Sequence, residues 1–177
     1  MELVRRVKNL FPKMYKKDIY HIPYDELKKK NIKCLVFDFD NTLVPSFQKN
    51  WDQKLEKLME KLDKQKFIII ILSNNTKKRF LQFQKKFNIR IITLAVKPLP
   101  FRFKKICKEY HLKASEIAMI GDQMFTDVLG ANKVGMYTIL VDPLEKKDLK
   151  ITNLNRKLEQ WIKKKYHWKD GEYFEKM

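Results

Sequence analysis

An open parallel β-sheet with helices on both faces, a three-layer α/β/α arrangement, is the fold class this sequence predicts, and three observations predict it. Five short apolar runs, Lys33 to Phe37, Phe67 to Leu72, Arg90 to Val96, Ile117 to Ile120 and Tyr137 to Val141, are continuous rather than alternating. That is the pattern of strands buried on both faces. Between the runs lie helical periodicities, and strand alternating with helix demands repeated right-handed crossovers. A five-stranded parallel sheet follows.

Each helix has its own stripe. Leu55, Leu58, Met59 and Leu62 share one face, Phe80, Phe83 and Phe87 another, and Phe103, Ile106, Cys107 and Tyr110 a third. Phe125, Val128, Leu129 and Asn132 suggest a shorter fourth. Residues 1–32 form a basic flank, expected on or beside the core, with Leu3, Val4, Val7, Leu10 and Phe11 in a partly amphipathic stretch. YDELKKKNIK then reads as a short helix leading into the first strand. Residues 33–145 make the core. Residues 146–177 are a basic tail whose Ile151, Leu154, Leu158, Trp161 and Ile162 keep helical spacing.

Composition bounds the possibilities. A chain of 177 residues holds one sizeable domain. No apolar run approaches the roughly 18 residues of a membrane-spanning helix. The start lacks the apolar core and small-residue cleavage site of a secretory signal, so a cytoplasmic location is expected. Cys34 and Cys107 lack metal or disulfide spacing, and His21, His111 and His167 are scattered. The net charge of +18 invites an anionic partner. The excess is nearly all lysine, however, and arginine forks would be better evidence of specific phosphate reading.

In a parallel sheet the loops after the strands gather along one edge, where ligands bind. Asp38 and Asp40 follow the first run, Ser73, Asn74 and Asn75 the second, Lys97 and Pro98 the third, and Gly121, Asp122 and Asp127 the fourth. Taken singly, Ser73 reads as a helix cap, Lys97 as a loop lysine, and Asp122 and Asp127 as helix-capping or solvated acids. Asp38 and Asp40 are harder to explain that way. Two neighbouring carboxylates at a buried strand end carry desolvation and repulsion costs.

DFDNTLV, ILSNN, KP and GDQMFTDVLGANKVGMYTILV, in that order and each just past its own strand, resemble the four motifs of the haloacid dehalogenase (HAD) superfamily of phosphatases. The wording is similar to the YqeG-type group of subclass IIIA, itself similar to mitochondrial phosphatidylglycerophosphate phosphatases. The resemblance implies a Rossmann-like HAD fold and hydrolysis of a phosphate monoester through an aspartyl phosphate. It makes Asp38 the nucleophile and Asp40 the general acid and base. Ser73 and Lys97 would hold the transferring oxygens, helped by the backbone N–H groups of Phe39 and Asn74, with Thr42 bracing the loop around Asp40. It also implies Mg²⁺, held by Asp38, the Asp40 carbonyl and Asp122, with Asp127 a weaker ligand or acting on the ion indirectly.

The segments from Thr42 to Ser73 and from Ser73 to Lys97 are each used up by a helix and a strand, which leaves the fold capless. An open site admits a large or surface-bound phosphate, such as a lipid headgroup on an anionic membrane, which the basic flanks could also meet as a peripheral contact. Two other readings use the lysine excess: an RNA- or ribosome-associated assembly factor on the same scaffold, and a nucleic-acid end phosphatase.

Overall fold

A computed structural model describes residues 8–46, 48, 51–76, 80–87, 89–145 and 152–174. Its parallel sheet contains β1 (Met14–Lys16), β2 (Cys34–Phe37), β3 (Ile68–Leu72), β4 (Arg90–Ile92), β5 (Ile117–Gly121) and β6 (Tyr137–Val141), in the order β1-β6-β5-β2-β3-β4. Six strands replace the expected five. The addition, β1, comes from the amino-terminal flank and pairs Met14 with Ile139, Tyr15 with Leu140 and Lys16 with Val141. Three residues in a lysine-rich setting give no apolar run, and edge strands are commonly short and charged. Its register rests on the neighbour, which the flank sequence alone does not reveal.

The alternation of β2 sorts the core into layers. Leu35 and Phe37 face one cluster with Ile71, Ile120 and Ile139, covered by α1 (Tyr24–Lys29), α2 (Gln53–Lys64) and α3 (Leu81–Phe87). Cys34 and Val36 face the other with Ile70, Leu72 and Met119, covered by α4 (Phe101–Glu109) and α5 (Leu129–Asn132). Leu55, Leu58, Met59 and Leu62 of α2 are all buried, as their spacing predicts. The helix starts where Asp52 caps it, its Oδ1 accepting from Leu55 N–H at 2.8 Å.

A third cluster binds the carboxyl-terminal helix α6 (Thr152–Lys165) and the chain beyond it to the β1–β6 side. Ile162 and Phe174 pack with Tyr15, Met124 and Leu140, flanked by Leu10, Phe11 and Trp168. Phe174 N–H also donates to Lys13 C=O at 2.9 Å. Of the stripe expected here, Ile162 is buried while Leu158 and Trp161 are exposed. Leu3, Val4, Val7 and Ile151, and the side chain of Leu154, lie outside the described residues. Among the described residues, no helix is long and apolar enough to cross a membrane.

The expected strand over Arg90 to Val96 ends at Ile92. Leu94 and Val96 adopt left-handed backbone, with φ of 50° and 54°, and turn the chain out of the ladder. Hydropathy cannot register that turn, because both residues are apolar and continue the run. After β2 the chain runs outward on one side through β3 and β4, then returns to the other side of β2 for β5. The reversal opens a crevice at the carboxyl ends of β2 and β5.

Candidate active site

Asp38 follows β2 with its N–H held by Ile120 C=O at 2.8 Å, so its side chain leaves the sheet at the crevice. The next residues turn at once. Phe39 C=O accepts from both Leu43 and Val44 N–H, and Asn41 takes a φ of 60°. Phe39 is buried edge-on against Phe80 and Phe83, with centroids 4.8 and 5.4 Å away, which fixes the turn. Asp40 lies at the mouth. Its Oδ2 accepts from Asn75 Nδ2 at 2.6 Å, tying it to the β3 loop.

Lys97 supplies the central cation. It is 7 % exposed, and its Nζ lies 2.5 Å from Asp38 Oδ1, 2.7 Å from Asp127 Oδ1 and 2.9 Å from Leu72 C=O. Asn74 Oδ1 accepts from Lys97 N–H at 2.9 Å, and Ala95 N–H donates to Ser73 C=O at 3.1 Å. The loops after β3 and β4 are thereby laced together. Ser73 is buried with its Oγ accepting from Asn75 N–H at 3.1 Å, a local turn that leaves the hydroxyl proton available as a donor.

Asp127 reaches the site through a widened helical turn over Met124–Val128, in which Val128 N–H donates to Gln123 C=O five residues back at 3.3 Å. The turn leaves no room beside Gly121. A Cβ on Gly121 would sit 2.7 Å from Asp127 Cβ, so only glycine fits. Thr42 is buried and its Oγ1 donates to Asp122 Oδ1 at 3.2 Å, making it a brace for Asp122.

Two participants were not anticipated. Arg156 of α6 pairs with Asp122 Oδ2, donates to Asp122 C=O at 2.6 Å and lies 3.3 Å from Glu159 Oε2. Glu159 is buried, and its Oε1 accepts from Met124 N–H at 2.7 Å. The sequence offers one weak signal: Arg156 and Glu159 are polar, three apart, in a helix whose other charges are mostly lysine.

The electrostatics are unbalanced. Among the described residues, Asp38, Asp122, Asp127 and Glu159 are the buried carboxylates here, and Lys97 and Arg156 are the cations that contact them. Fully ionised, this group carries two excess negative charges. Burial therefore lifts Asp38 well above the ordinary carboxylate range; Lys97 opposes this, while Asp127 and Asp122 reinforce it. Burial also pushes Asp122 up to about 7 against the pull of Arg156. Desolvation works against charge on Lys97, yet Asp127 and Asp38 outweigh it and hold the ammonium protonated.

A divalent cation would supply the missing charge. Asp38, Asp122 and Asp127 each offer an oxygen within 4.8 Å of the others. Carboxylate oxygens in this arrangement suit a hard cation such as Mg²⁺, so donor set and charge both fit one. The sequence-predicted residues Asp38, Lys97, Asp122 and Asp127 are in contact or mutually adjacent, Thr42 touches Asp122, and Ser73, Asn74 and Asp40 line the adjoining loops.

Comparisons with known proteins bear on family and fold. The family profile described as "Mitochondrial PGP phosphatase" matches residues 1–145. A probable phosphatase, YqeG of Bacillus subtilis, is 36 % identical over 155 residues, covering 88 % of this chain and 90 % of its own. Phosphatidylglycerophosphate phosphatase 1 (chloroplastic/mitochondrial) of Arabidopsis thaliana is 28 % identical over 150 residues, covering 77 % of this chain and 42 % of its own. Among solved structures, an uncharacterized protein from Listeria monocytogenes superposes with a TM-score of 0.53 at 19 % identity, over 66 % of this chain and 84 % of that one. A probable YrbI-family phosphatase from Pseudomonas syringae gives 0.50 at 16 % identity, over 67 % and 82 %. The structural likenesses show a shared fold, and the family profile and the Bacillus relative show that the chain belongs to the YqeG-type PGP phosphatase family of the HAD superfamily.

Proposed function

We propose that this phosphatase hydrolyses a phosphate monoester through an aspartyl phosphate on Asp38, with Mg²⁺ as cofactor and a phosphatidylglycerophosphate-type lipid as substrate. The observation that carries the reading is the contact of one buried ammonium, Lys97 Nζ, with both Asp38 and Asp127 beside Asp122. A carboxylate attacking an anionic phosphate must be met by positive charge, and buried, preorganised charge is worth most. The lipid comes from the Arabidopsis relative's name and from the capless site.

Asp38, Asp122 and Asp127, with the Asp40 carbonyl, would hold the Mg²⁺, which supplies charge neutralisation for nucleophile and phosphoryl oxygens. An Asp38 carboxylate oxygen attacks phosphorus while the ester P–O bond breaks. Asp40, oriented by Asn75, gives its proton to the departing alkoxide. Lys97 Nζ and the Ser73 hydroxyl bind the transferring oxygens. In the second step Asp40 takes a proton from water as it attacks phosphorus, releasing phosphate and restoring the Asp38 carboxylate.

Hydrolysis of a soluble aryl phosphate with Mg²⁺, in wild type and Asp38→Asn, tests the chemistry. Turnover lost in the variant, with an unchanged melting profile, is the expected result. Turnover that survives the substitution overturns the mechanism. For the substrate, release of phosphate from phosphatidylglycerophosphate in vesicles should exceed that from soluble glycerol phosphate, and the reverse preference rules the lipid out.

A further inference from the structure

The connection from β4 into α4 wears its apolar side chains outward. Leu94 is 55 % exposed, Val96 53 %, Leu99 48 % and Phe101 46 %, while Ala95 and Lys97 between them are buried. This is a fixed conformation. Leu94 N–H donates to Asn75 C=O at 3.2 Å, Ala95 N–H to Ser73 C=O at 3.1 Å, Lys97 N–H to Asn74 Oδ1 at 2.9 Å and Leu99 N–H to Val96 C=O at 3.0 Å. The same bonds that aim Lys97 into the site therefore hold its neighbours out of it. Leu144, 40 % exposed, is tied to the loop after β2, its N–H donating to Asn41 C=O at 2.9 Å.

Four large apolar side chains exposed within one short segment whose backbone is held in place mark a surface with a partner. We propose that this rim is an interfacial docking surface that enters the headgroup region of an anionic phospholipid bilayer and presents the crevice to phosphate at the membrane. The inference rests on the lipid-phosphate reading above and adds where the lipid surface is met.

Charge selects that partner over others. Phe101 is followed by Arg102, whose guanidinium carbon lies 5.2 Å from the Phe101 ring centroid, and by exposed Lys104 and Lys105. An aromatic and aliphatic edge backed by basic residues matches a membrane interface, apolar below and anionic at the surface. A second copy of this chain carries the same charge of +18 and repels. RNA offers phosphates to the lysines but little apolar surface to Leu94, Val96 and Leu99.

The test is cosedimentation of the full chain with phosphatidylcholine vesicles, with and without phosphatidylglycerol, for wild type and two variants. These are Phe101→Gln and the triple variant Leu94→Asn, Leu99→Gln, Phe101→Gln. Asparagine suits the left-handed backbone at position 94. Binding of wild type to the anionic vesicles is expected, with partition falling about tenfold or more in the triple variant and by a smaller factor in Phe101→Gln. Soluble aryl phosphate hydrolysis should stay within about twofold, since exposed side chains outside the machinery are replaced. Triple-variant binding equal to wild type overturns the docking surface. So does a wild-type dimer that the triple variant converts to monomer without change in vesicle binding, which makes the rim a self-interface. Asp38→Asn should bind vesicles like wild type, so a failure of the phosphatase chemistry shows in hydrolysis and a failure of the rim shows in partition.

Discussion

Val96 and Lys97 are neighbours in the chain and opposites in environment. The lysine is 7 % exposed among carboxylates, whereas the valine is 53 % exposed. The crevice and its rim thus both invert the ordinary partition of charge outside and apolar inside. One backbone conformation produces both inversions, because the hydrogen bonds that fix this turn leave Val96 outside and Lys97 inside. Composition alone would assign these residues the reverse roles. The contrast teaches that a burial pattern set by backbone hydrogen bonds can overrule residue preference where a site must be built.

The strongest way to break the comparison is to remove the buried member. Lys97→Met leaves Asp38 and Asp127 facing each other without the ammonium that contacts both. Breaking a buried ion pair from one side costs about 3–5 kcal/mol, measurable by urea unfolding. Aryl phosphate turnover should fall at least about 10²–10³-fold, the usual effect of deleting one group that stabilises transferring charge. Normal stability in this variant would show that the cluster does not depend on Lys97.

Arg156→Ala attacks the same balance from the carboxyl-terminal helix. It removes a cation from Asp122 and Glu159, which are buried, but the arginine side chain keeps 14 % exposure. The expected loss is about 3 kcal/mol, the low end of the range for such pairs. Arg156→Lys should recover part of it through charge without the planar fork. If alanine and lysine are equally damaging, geometry rather than charge governs the contact.

The excess negative charge also has a pH signature. Asp122, raised from 3.8 to about 7, binds its proton more tightly folded than unfolded. Its contribution to stability is therefore present below about 4 and is lost as pH rises towards 7. Asp38 is raised in the same sense. Asp18 is lowered by His21 and backbone N–H groups against its burial, which works in the opposite direction below pH 4. Melting of the metal-free protein should accordingly show a component falling between about pH 4 and 7 that Asp122→Asn flattens. At neutral pH, Mg²⁺ at about a hundred times its dissociation constant should restore about 2.7 kcal/mol. The same addition should do little for Asp122→Asn.

Much of this was readable in advance. The strands β2, β3, β5 and β6 are buried on both faces and speak through continuous hydropathy, and the residues after them fall where parallel topology sends them. Asp38, Lys97, Asp122 and Asp127 converge for that reason. Three features were not legible. Strand β1 takes its identity from a neighbour more than a hundred residues away. Arg156 and Glu159 reach the site only because α6 packs through Ile162 onto the β1–β6 side. The outward turn at Leu94 and Val96 lies in φ, to which a strand-like run of Ile, Leu, Ala and Val gives no clue.

The smallest expected effect sharpens the comparison most directly, because it concerns Val96 itself. A β-branched residue with a φ of 54° sits in a region that costs L-residues about 1–2 kcal/mol, and asparagine tolerates it far better. Val96 gives up little burial on replacement, being 53 % exposed. Val96→Asn should therefore stabilise the free protein by about 0.5–1 kcal/mol in urea unfolding. The same substitution should weaken partition onto anionic vesicles. A valine retained at a stability cost, in an exposed position, is what a surface selected for contact predicts. If Val96→Asn instead destabilises the protein, the valine is packed rather than presented, and the division between crevice and rim falls at that residue.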